Sequence, residues 1–419
     1  MASSKSVLHI ITELGRGGAE HMLYKLLSAM DGNLANHHVL SLGSGGPYAE
    51  KIRALGIPVH ELGMRMGRPN PMLLLRLRGL VRKLNPDLVH GWMYHGILAA
   101  RLAAQGRPVV AGIRHSIYKL SSEKFATRLV IRAVASLSPS LAALTYNAHL
   151  SLDQHRNIGF SSKKACVIPN GFDPDRLRPD PKVGARLRAE LGVQPDVFVV
   201  LHAARFHPMK DHKGLLQAIA RIKDRNMVFL LAGTQVDSGN PALSGIQDDR
   251  VYLLGERDDI ADLMTAADCL VNSSWSEAFP NVLGEAMACG LPAIATDVGE
   301  SAAVLGGTGL VVPPRDPEAL AKALVQMKDM PQEQRIDLGK RARQRVIETF
   351  SLSKVASDYL ASIKMFWMPT AGDGPKDVQE KEFLVHVRNR GVYQLAGRSG
   401  WGRADFAHHD RCGAPSWPR

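Results

Sequence analysis

Trp275-Ser-Glu-Ala-Phe-Pro-Asn-Val-Leu-Gly-Glu-Ala-Met-Ala-Cys-Gly290 is the stretch from which the rest of the chain is read. The apolar run Cys269-Leu270-Val271 precedes it and predicts a short buried strand. Pro280 suits the first turn of a helix, where its missing N–H costs nothing. Asn281 through Cys289 is helix-permissive, and Gly290 followed by Pro292 ends it. The unit is strand, loop, helix, with Glu277 in the loop and Glu285 about one turn into the helix. A helix N-terminus offers unpaired amides and the positive end of a dipole, which together attract phosphate. Two carboxylates flanking such a seat can accept hydrogen bonds from hydroxyls, one set on a donor sugar and one on a ribose. For an arbitrary pair of glutamates a solvated helix face is the commoner explanation. Here the loop is Phe279-Pro280-Asn281 rather than polar filler, and the small residues of Ala286–Gly290 imply close packing, so the site reading prevails.

Glu277 and Glu285, set inside Ser-Glu-Ala-Phe-Pro-Asn-Val-x-x-Glu-Ala-Met-Ala-x-Gly-x-Pro, resemble the signature of the family 4 retaining glycosyltransferases of GT-B fold. The resemblance implies an α/β protein of two Rossmann-like domains whose parallel sheets face a central cleft. A nucleotide diphosphate sugar would sit mainly on the second domain and an acceptor on the first. The resemblance covers roughly the first seven-eighths of the chain.

Composition is consistent with that expectation. At 419 residues the chain is too long for one ordinary core. Its 45% hydrophobic and 22% charged residues are those of a globular protein. The net charge of +12 is lopsided, since residues 1–175 hold 21 Lys and Arg against 10 Asp and Glu. Such an excess favours anionic partners. Cys166, Cys269, Cys289 and Cys412 show no metal-ligand spacing and no disulfide-framework density. No secretory signal and no run of transmembrane length is evident, so the expectation is a cytoplasmic protein, with the inner membrane face as a surface it could meet.

Val7–Ile11 predicts a buried strand, followed by the turn Leu14-Gly-Arg-Gly-Gly-Ala-Glu20 and a helix over His21–Met30. Strand, glycine loop and helix together make a phosphate-approach site. The dinucleotide fingerprint fails because Glu20 holds its third glycine position. A tight turn with positive φ at Gly17 or Gly18 would account for the glycines. The loop is also similar to one in the family whose backbone faces the donor phosphate. Further strands are expected at 38–42, 58–62, 87–90, 109–113, 142–146 and 165–168, separated by helices, which argues for a doubly wound parallel sheet. Two helices are basic. Residues 71–84 carry Arg76, Arg78, Arg82 and Lys83 among leucines, and 122–137 set Lys124, Arg128 and Arg132 four apart on one face. With the charge excess they suggest contact with an anionic membrane surface.

His95 and His115 each follow a strand end, where open α/β sheets bind ligands. His115 resembles the family's active-site histidine, and His95 is a candidate acceptor contact. Val167-Ile-Pro-Asn-Gly-Phe-Asp173 closes the first domain, and the resemblance puts this turn near the hinge. Asp173-Pro-Asp175 has the form of a metal-binding pair, but it lies between a turn and a linker rich in Pro and Arg, so a turn is the preferred reading. In the second domain the strand 198–202 leads to Arg205 and Lys210, two cations able to neutralise a diphosphate, in the family's Arg-x4-Lys pattern. Gly255-Glu256-Arg257 corresponds to a segment whose backbone contacts the base in the family. The remaining strands are expected at 227–232, 251–254, 293–296 and 310–312. Helices are expected at 316–328 and 333–349, with a last one over 353–367 crossing back to the first domain. Residues 369–419 lack periodicity and are expected to form a disordered tail.

The expected organisation is an acceptor domain over 1–180 and a donor domain over 181–350. The expected catalytic residues are His115, Glu277, Arg205 and Lys210. Gly17, Gly18, Arg205, Lys210, Arg257, Glu277, Phe279, Asn281, Val282 and Glu285 are the expected donor contacts. No metal or other cofactor is expected beyond the nucleotide sugar, because fixed cations and helix-end amides can stabilise a departing nucleotide diphosphate. The variants around His115 and Lys210 look like those of bacterial polysaccharide and lipopolysaccharide glycosyltransferases. A nucleotide-sugar epimerase is one rival. A nucleic-acid-binding protein is another, but the basic segments lack the interleaved aromatics that single-strand binding needs.

Overall fold

The computed structural model describes residues 5–15, 17–30, 36–64 and 71–365. The tail expected at 369–419 lies outside the described residues, as do Phe366 and Trp367 of the expected last helix. Two parallel sheets organise the chain. The first has seven strands, β1 (Val7–Ile11), β2 (His37–Ser41), β3 (Val59–Glu61), β4 (Leu88–Trp92), β5 (Val109–Ile113), β6 (Ala143–Tyr146) and β7 (Ala165–Val167), in the order β3-β2-β1-β4-β5-β6-β7. Its helices are α1 (Gly18–Ser28), α2 (Pro47–Ala54), α3 (Pro71–Leu84), α4 (Met93–Ala103), α5 (Phe125–Leu137) and α6 (His149–Asn157). The second has six strands, β8 (Phe198–Ala203), β9 (Met227–Ala232), β10 (Val251–Leu253), β11 (Cys269–Asn272), β12 (Ala293–Thr296) and β13 (Gly309–Val312), in the order β10-β9-β8-β11-β12-β13. Helices α7 (Pro181–Glu190), α8 (His212–Ile219), α9 (Ile260–Ala266), α10 (Asn281–Ala288), α11 (Ser301–Leu305), α12 (Pro317–Asp329) and α13 (Gln332–Arg345) accompany it.

The central strands are mostly apolar because helices cover both faces of each sheet. Every residue of β1, β4, β5 and β11 is buried. Strand order reverses between β1 and β4 in one sheet and between β8 and β11 in the other. Such switch points open a crevice at the carboxyl ends of the strands. The glycine loop, His95, Arg205, Lys210 and Glu277 all follow those four strands.

Several boundaries differ from expectation: helix α1, expected over His21–Met30, runs from Gly18 to Ser28, and three more helix boundaries move. The helix expected from Ser122 begins at Phe125, after a short 3-10 turn over Leu120–Ser122, so Lys124 stands at its cap rather than on its face. Helix α13 ends at Arg345, and the chain continues as one turn of π-helix over Val346–Phe350. The last helix, α14 (Leu352–Met365), starts one residue early.

The chain crosses between the sheets twice, and the crossings pair. Phe172 N–H donates to Phe350 O (2.9 Å), and Leu352 N–H donates to Phe172 O (2.7 Å). The Phe172 ring is fully buried and stacks on Phe279. It also lies so close to Gly284 of α10 that a Cβ there would collide with it. From this crossing α14 runs onto the first sheet. Its Tyr359 hydroxyl reaches His90 Nε2 (2.9 Å), at the end of a buried histidine row. His90 Nδ1 lies 3.1 Å from His9 Nδ1, and His9 Nε2 lies 3.1 Å from His37 Nδ1. The Trp92 indole, a donor only, points at His9 Nδ1 (3.3 Å), which fixes the His9 proton on Nε2. Burial keeps all three rings neutral. It pushes His37 down to about 4, His90 down to about 3, and His9 well below its ordinary value.

Candidate active site

Strand β8 delivers Arg205 at its carboxyl end, and a short 3-10 turn over Pro208–Lys210 delivers Lys210. Asp211 follows with a left-handed backbone (φ +51°), and its carboxylate accepts from Gly214 N–H (3.0 Å) to cap α8. A strained non-glycine residue next to Lys210 fixes where that lysine leaves the backbone. The Lys210 ammonium donates to Glu277 Oε1. The Ser274 hydroxyl donates to the same oxygen (2.8 Å), and the Ser273 hydroxyl donates to Lys210 O (2.9 Å). The Trp275 indole donates to Pro208 O (2.8 Å). Loop and turn are thus bonded into one unit. Arg205 is exposed beside it and makes no hydrogen bond or ion pair among the described residues.

Pro280 proves to be the residue capping α10, one position before the helix, so Asn281 and Val282 supply its first amides. First-turn amides have no partner within their own helix. The Asn281 side chain accepts from Asn170 Nδ2 (2.7 Å), and Asn170 in turn accepts from Arg114 Nη1 (3.2 Å). Phe279 is turned inward, buried between Phe172 and Phe350. Its packing holds the loop's shape, and its ring is not exposed to the cleft. Arg257 forks onto Asp259, with Nε to Oδ1 at 2.7 Å.

Glu285 lines a cavity of about 600 Å3 with Tyr24, Lys25, Arg176, Asp258 and Ile260. Lys25, on α1, pairs with it across the cleft at 3.7 Å. Burial raises the Glu285 carboxyl above its usual range and lowers the Lys25 ammonium, while each charge opposes the shift of the other. Both glutamates of the signature therefore already hold a lysine.

On the first-domain side, Gly17 and Gly18 open α1, but neither has positive φ. Gly17, at φ −120°, is extended. The carboxylate of Glu20 folds back over Gly17, so a side chain there would require that carboxylate to move aside. Gly18 faces open space. His95 is half-buried on the first turn of α4, and burial lowers its pKa. His115 stands beyond β5 with Nε2 3.1 Å from Glu123 Oε1, and its carbonyl accepts from the Ser151 hydroxyl of α6 (2.5 Å). The Asp173 carboxylate is occupied by the amides of Asp175 (3.0 Å) and Arg176 (3.2 Å), as expected of a turn.

Sequence reasoning did not single out Lys25, Tyr118, His149, Asn170 or Glu300, which join the two domains. Tyr118 meets Trp275 edge-on with centroids 5.6 Å apart, and Arg315 covers the other contact of that indole at 4.4 Å. Glu300 accepts from His149 N–H (2.6 Å). These residues carry no local pattern, and only the packing of one domain against the other brings them together.

Comparison with known proteins agrees with this geometry. Residues 16–176 match the model for Glycosyltransferase Family 4, and residues 197–329 match that for Glycosyl transferases group 1. A Bacillus subtilis protein named as a glycosyltransferase, EpsF, is 30% identical over 319 residues, which cover 71% of this chain and 80% of that one. N-acetyl-alpha-D-glucosaminyl L-malate synthase of Bacillus anthracis is 32% identical over 181 residues, 42% of this chain and 47% of that one. Among solved structures, Anabaena HepE in complex with UDP and glucose superposes with a TM-score of 0.74 at 21% identity, covering 86% of this chain and 99% of that one. WaaG, a glycosyltransferase involved in lipopolysaccharide biosynthesis, superposes with a TM-score of 0.65 at 18% identity, covering 87% of this chain and all of that one.

Proposed function

The chain belongs to the family 4 glycosyltransferases of GT-B fold, and we propose that it moves a sugar, with retention of anomeric configuration, from a nucleoside diphosphate sugar to a glycan or lipid-linked acceptor in cell-surface polysaccharide synthesis. The observation that carries this reading is the bonded unit of Lys210 and Glu277 with the exposed Arg205, at a strand switch point and in the loop that leads into α10. An arriving diphosphate competes for Lys210 and gains Arg205 and the helix end. Glu277, relieved of its lysine, is then free to accept from hydroxyls of the transferred sugar. Charge grows on the departing diphosphate as the glycosidic bond breaks, and these fixed groups stabilise it without reorganising. No metal is needed in this scheme. His115, oriented by Glu123, would hydrogen-bond the donor sugar or the leaving phosphate oxygen. The acceptor then attacks from the face the phosphate leaves.

A second part of the reading concerns the first domain's outer surface. Helix α4 packs between α3 and α5, and these two helices expose Met72, Leu75, Phe125 and Leu129 among Arg76, Arg78, Lys124 and Arg132. Exposed apolar side chains ringed by basic ones suit an anionic membrane surface. Among the described residues no helix is long and apolar enough to cross a membrane.

The test is calorimetric titration with UDP, chosen because HepE is solved with it. Glu285→Ala should weaken binding by roughly 1–3 kcal/mol, the cost of leaving buried ribose hydroxyls without an acceptor. Unchanged affinity in a folded variant would remove Glu285 from the nucleotide site.

A further inference from the structure

Helix α6 touches both reacting sides of the cleft. Ser151, in its first turn, donates its hydroxyl to the carbonyl of His115 (2.5 Å). Its first residue, His149, donates its backbone N–H to Glu300 Oε1 of the other domain (2.6 Å), and His149 Nδ1 lies 3.4 Å from the same oxygen. Glu300 is buried, only 6% exposed, and is tied to the donor loop because its own N–H donates to Ala278 O (3.1 Å). Gly299, just before it, has φ +55° and lies against the carbonyls of Glu277 and Ala278, where a Cβ would collide with both. The connection runs without a gap from His115 through α6 and Glu300 to the backbone of Glu277.

We propose that Glu300 and the first turn of α6 form a strut that sets the spacing between His115 and Glu277, so that Glu300, Ser151 and the backbone amide at position 149 position the reacting groups for transfer. The proposal rests on the reading of His115 and Glu277 as the groups that face the donor sugar. The bond that matters is the one to the backbone amide. A first-turn amide has no partner inside its own helix, so a carboxylate from the facing domain is its natural acceptor. The imidazole adds a second, longer contact to the same oxygen.

That division gives a clean experiment. Proline is tolerated at the first position of a helix, and Ala148 before it is already extended (φ −151°, ψ 146°), the backbone a residue before proline favours. His149→Pro therefore deletes the donor N–H without breaking α6, while His149→Ala deletes only the imidazole. We expect His149→Ala to turn over UDP-glucose at close to the wild-type rate. His149→Pro should lose roughly tenfold or more in kcat, as misplaced reacting groups do, with UDP affinity unchanged. Glu300→Ala should match His149→Pro, and Glu300→Gln, which keeps an acceptor oxygen, should recover part of the loss. Hydrogen exchange on the ligand-free protein supplies a readout independent of any donor. Amides of 277–279, of Asn281 and of Glu300 should exchange faster in His149→Pro than in His149→Ala. Equal exchange and equal kcat in the two His149 variants would overturn the strut. A kcat loss matched by weaker UDP binding would overturn it as well. A wild-type protein that neither binds UDP nor cleaves UDP-glucose would count against the donor reading alone, leaving the exchange comparison to decide the strut.

Discussion

The two domains share a fold and divide the chemistry unequally. The second domain has its candidate groups locked together before any ligand arrives, with Lys210 on Glu277, Ser273 on Lys210, and Trp275 on the turn that carries Lys210. The first domain holds His115 by two separate contacts, its ring on Glu123 and its carbonyl on Ser151 of a separate helix. It also carries nearly all the excess positive charge and a buried row of three histidines. Parallel sheets thus give both domains the same crevice, with donor binding proposed mainly for one and positioning of the reacting groups for the other.

The largest expected effect would split that division. His115→Ala should lower kcat by roughly a hundredfold, the scale of losing one positioned group, and leave UDP affinity intact. Glu285→Ala should do the reverse. If His115→Ala weakened UDP binding while kcat stayed near normal, the division would be reversed. A product of inverted configuration by NMR would remove the mechanistic class.

A smaller effect is expected at the first domain's outer surface. Flotation with vesicles containing anionic lipid should fall by roughly tenfold on raising salt from 0.1 to 0.5 M, because each exposed basic residue contributes about 1 kcal/mol that screening removes. Phe125→Ser with Leu129→Ser should reduce it at low salt as well. Flotation indifferent to anionic lipid and to salt would leave the surface without this role.

Acid should separate the domains more gently. His9, His37, His90 and His155 are buried in the first domain with folded pKa values depressed by burial, against His202 and His212 in the second. A depressed histidine stabilises the fold fully above its unfolded value near 6.5. That stability is lost as pH falls toward the folded value, at up to about 1.4 kcal/mol per histidine per pH unit. Hydrogen exchange at pH 5 compared with pH 7 should show strands of 7–41 opening before strands of 198–232. The opposite order would contradict the assignment. Chelation by EDTA is expected to change turnover least of all, and activity lost in EDTA and restored by magnesium or manganese would end the metal-free scheme.

Much of the architecture was legible because parallel strands covered on both faces must be apolar, and the helices between them must show a stripe. Strands β5 and β9 fall where their runs place them. The Trp275–Gly290 stretch was legible as strand, loop and helix because each boundary has a chemical marker. What the sequence hid is whatever depends on a partner distant in the chain. Gly17 has an extended backbone, and its neighbour is the folded-back carboxylate of Glu20, three residues on. Phe279 looked like a lining residue because it sits in the loop, yet the ring's partners are Phe172 and Phe350 from the two crossings. Lys25 on Glu285 and His149 on Glu300 join residues more than a hundred positions apart, and neither local spacing nor residue type announces such a pair.

The paired crossings at Phe172 and Ser351 have a mechanical consequence. One strand between two bodies behaves as a swivel. Two strands bonded side by side, with Phe172 exchanging hydrogen bonds with Phe350 and Leu352, behave as a door hinge. Twisting the domains about the crossing would shear those bonds, whereas rotation about the line through both crossings leaves them whole. Any relative motion of the two sheets that keeps these bonds is limited to that one rotation.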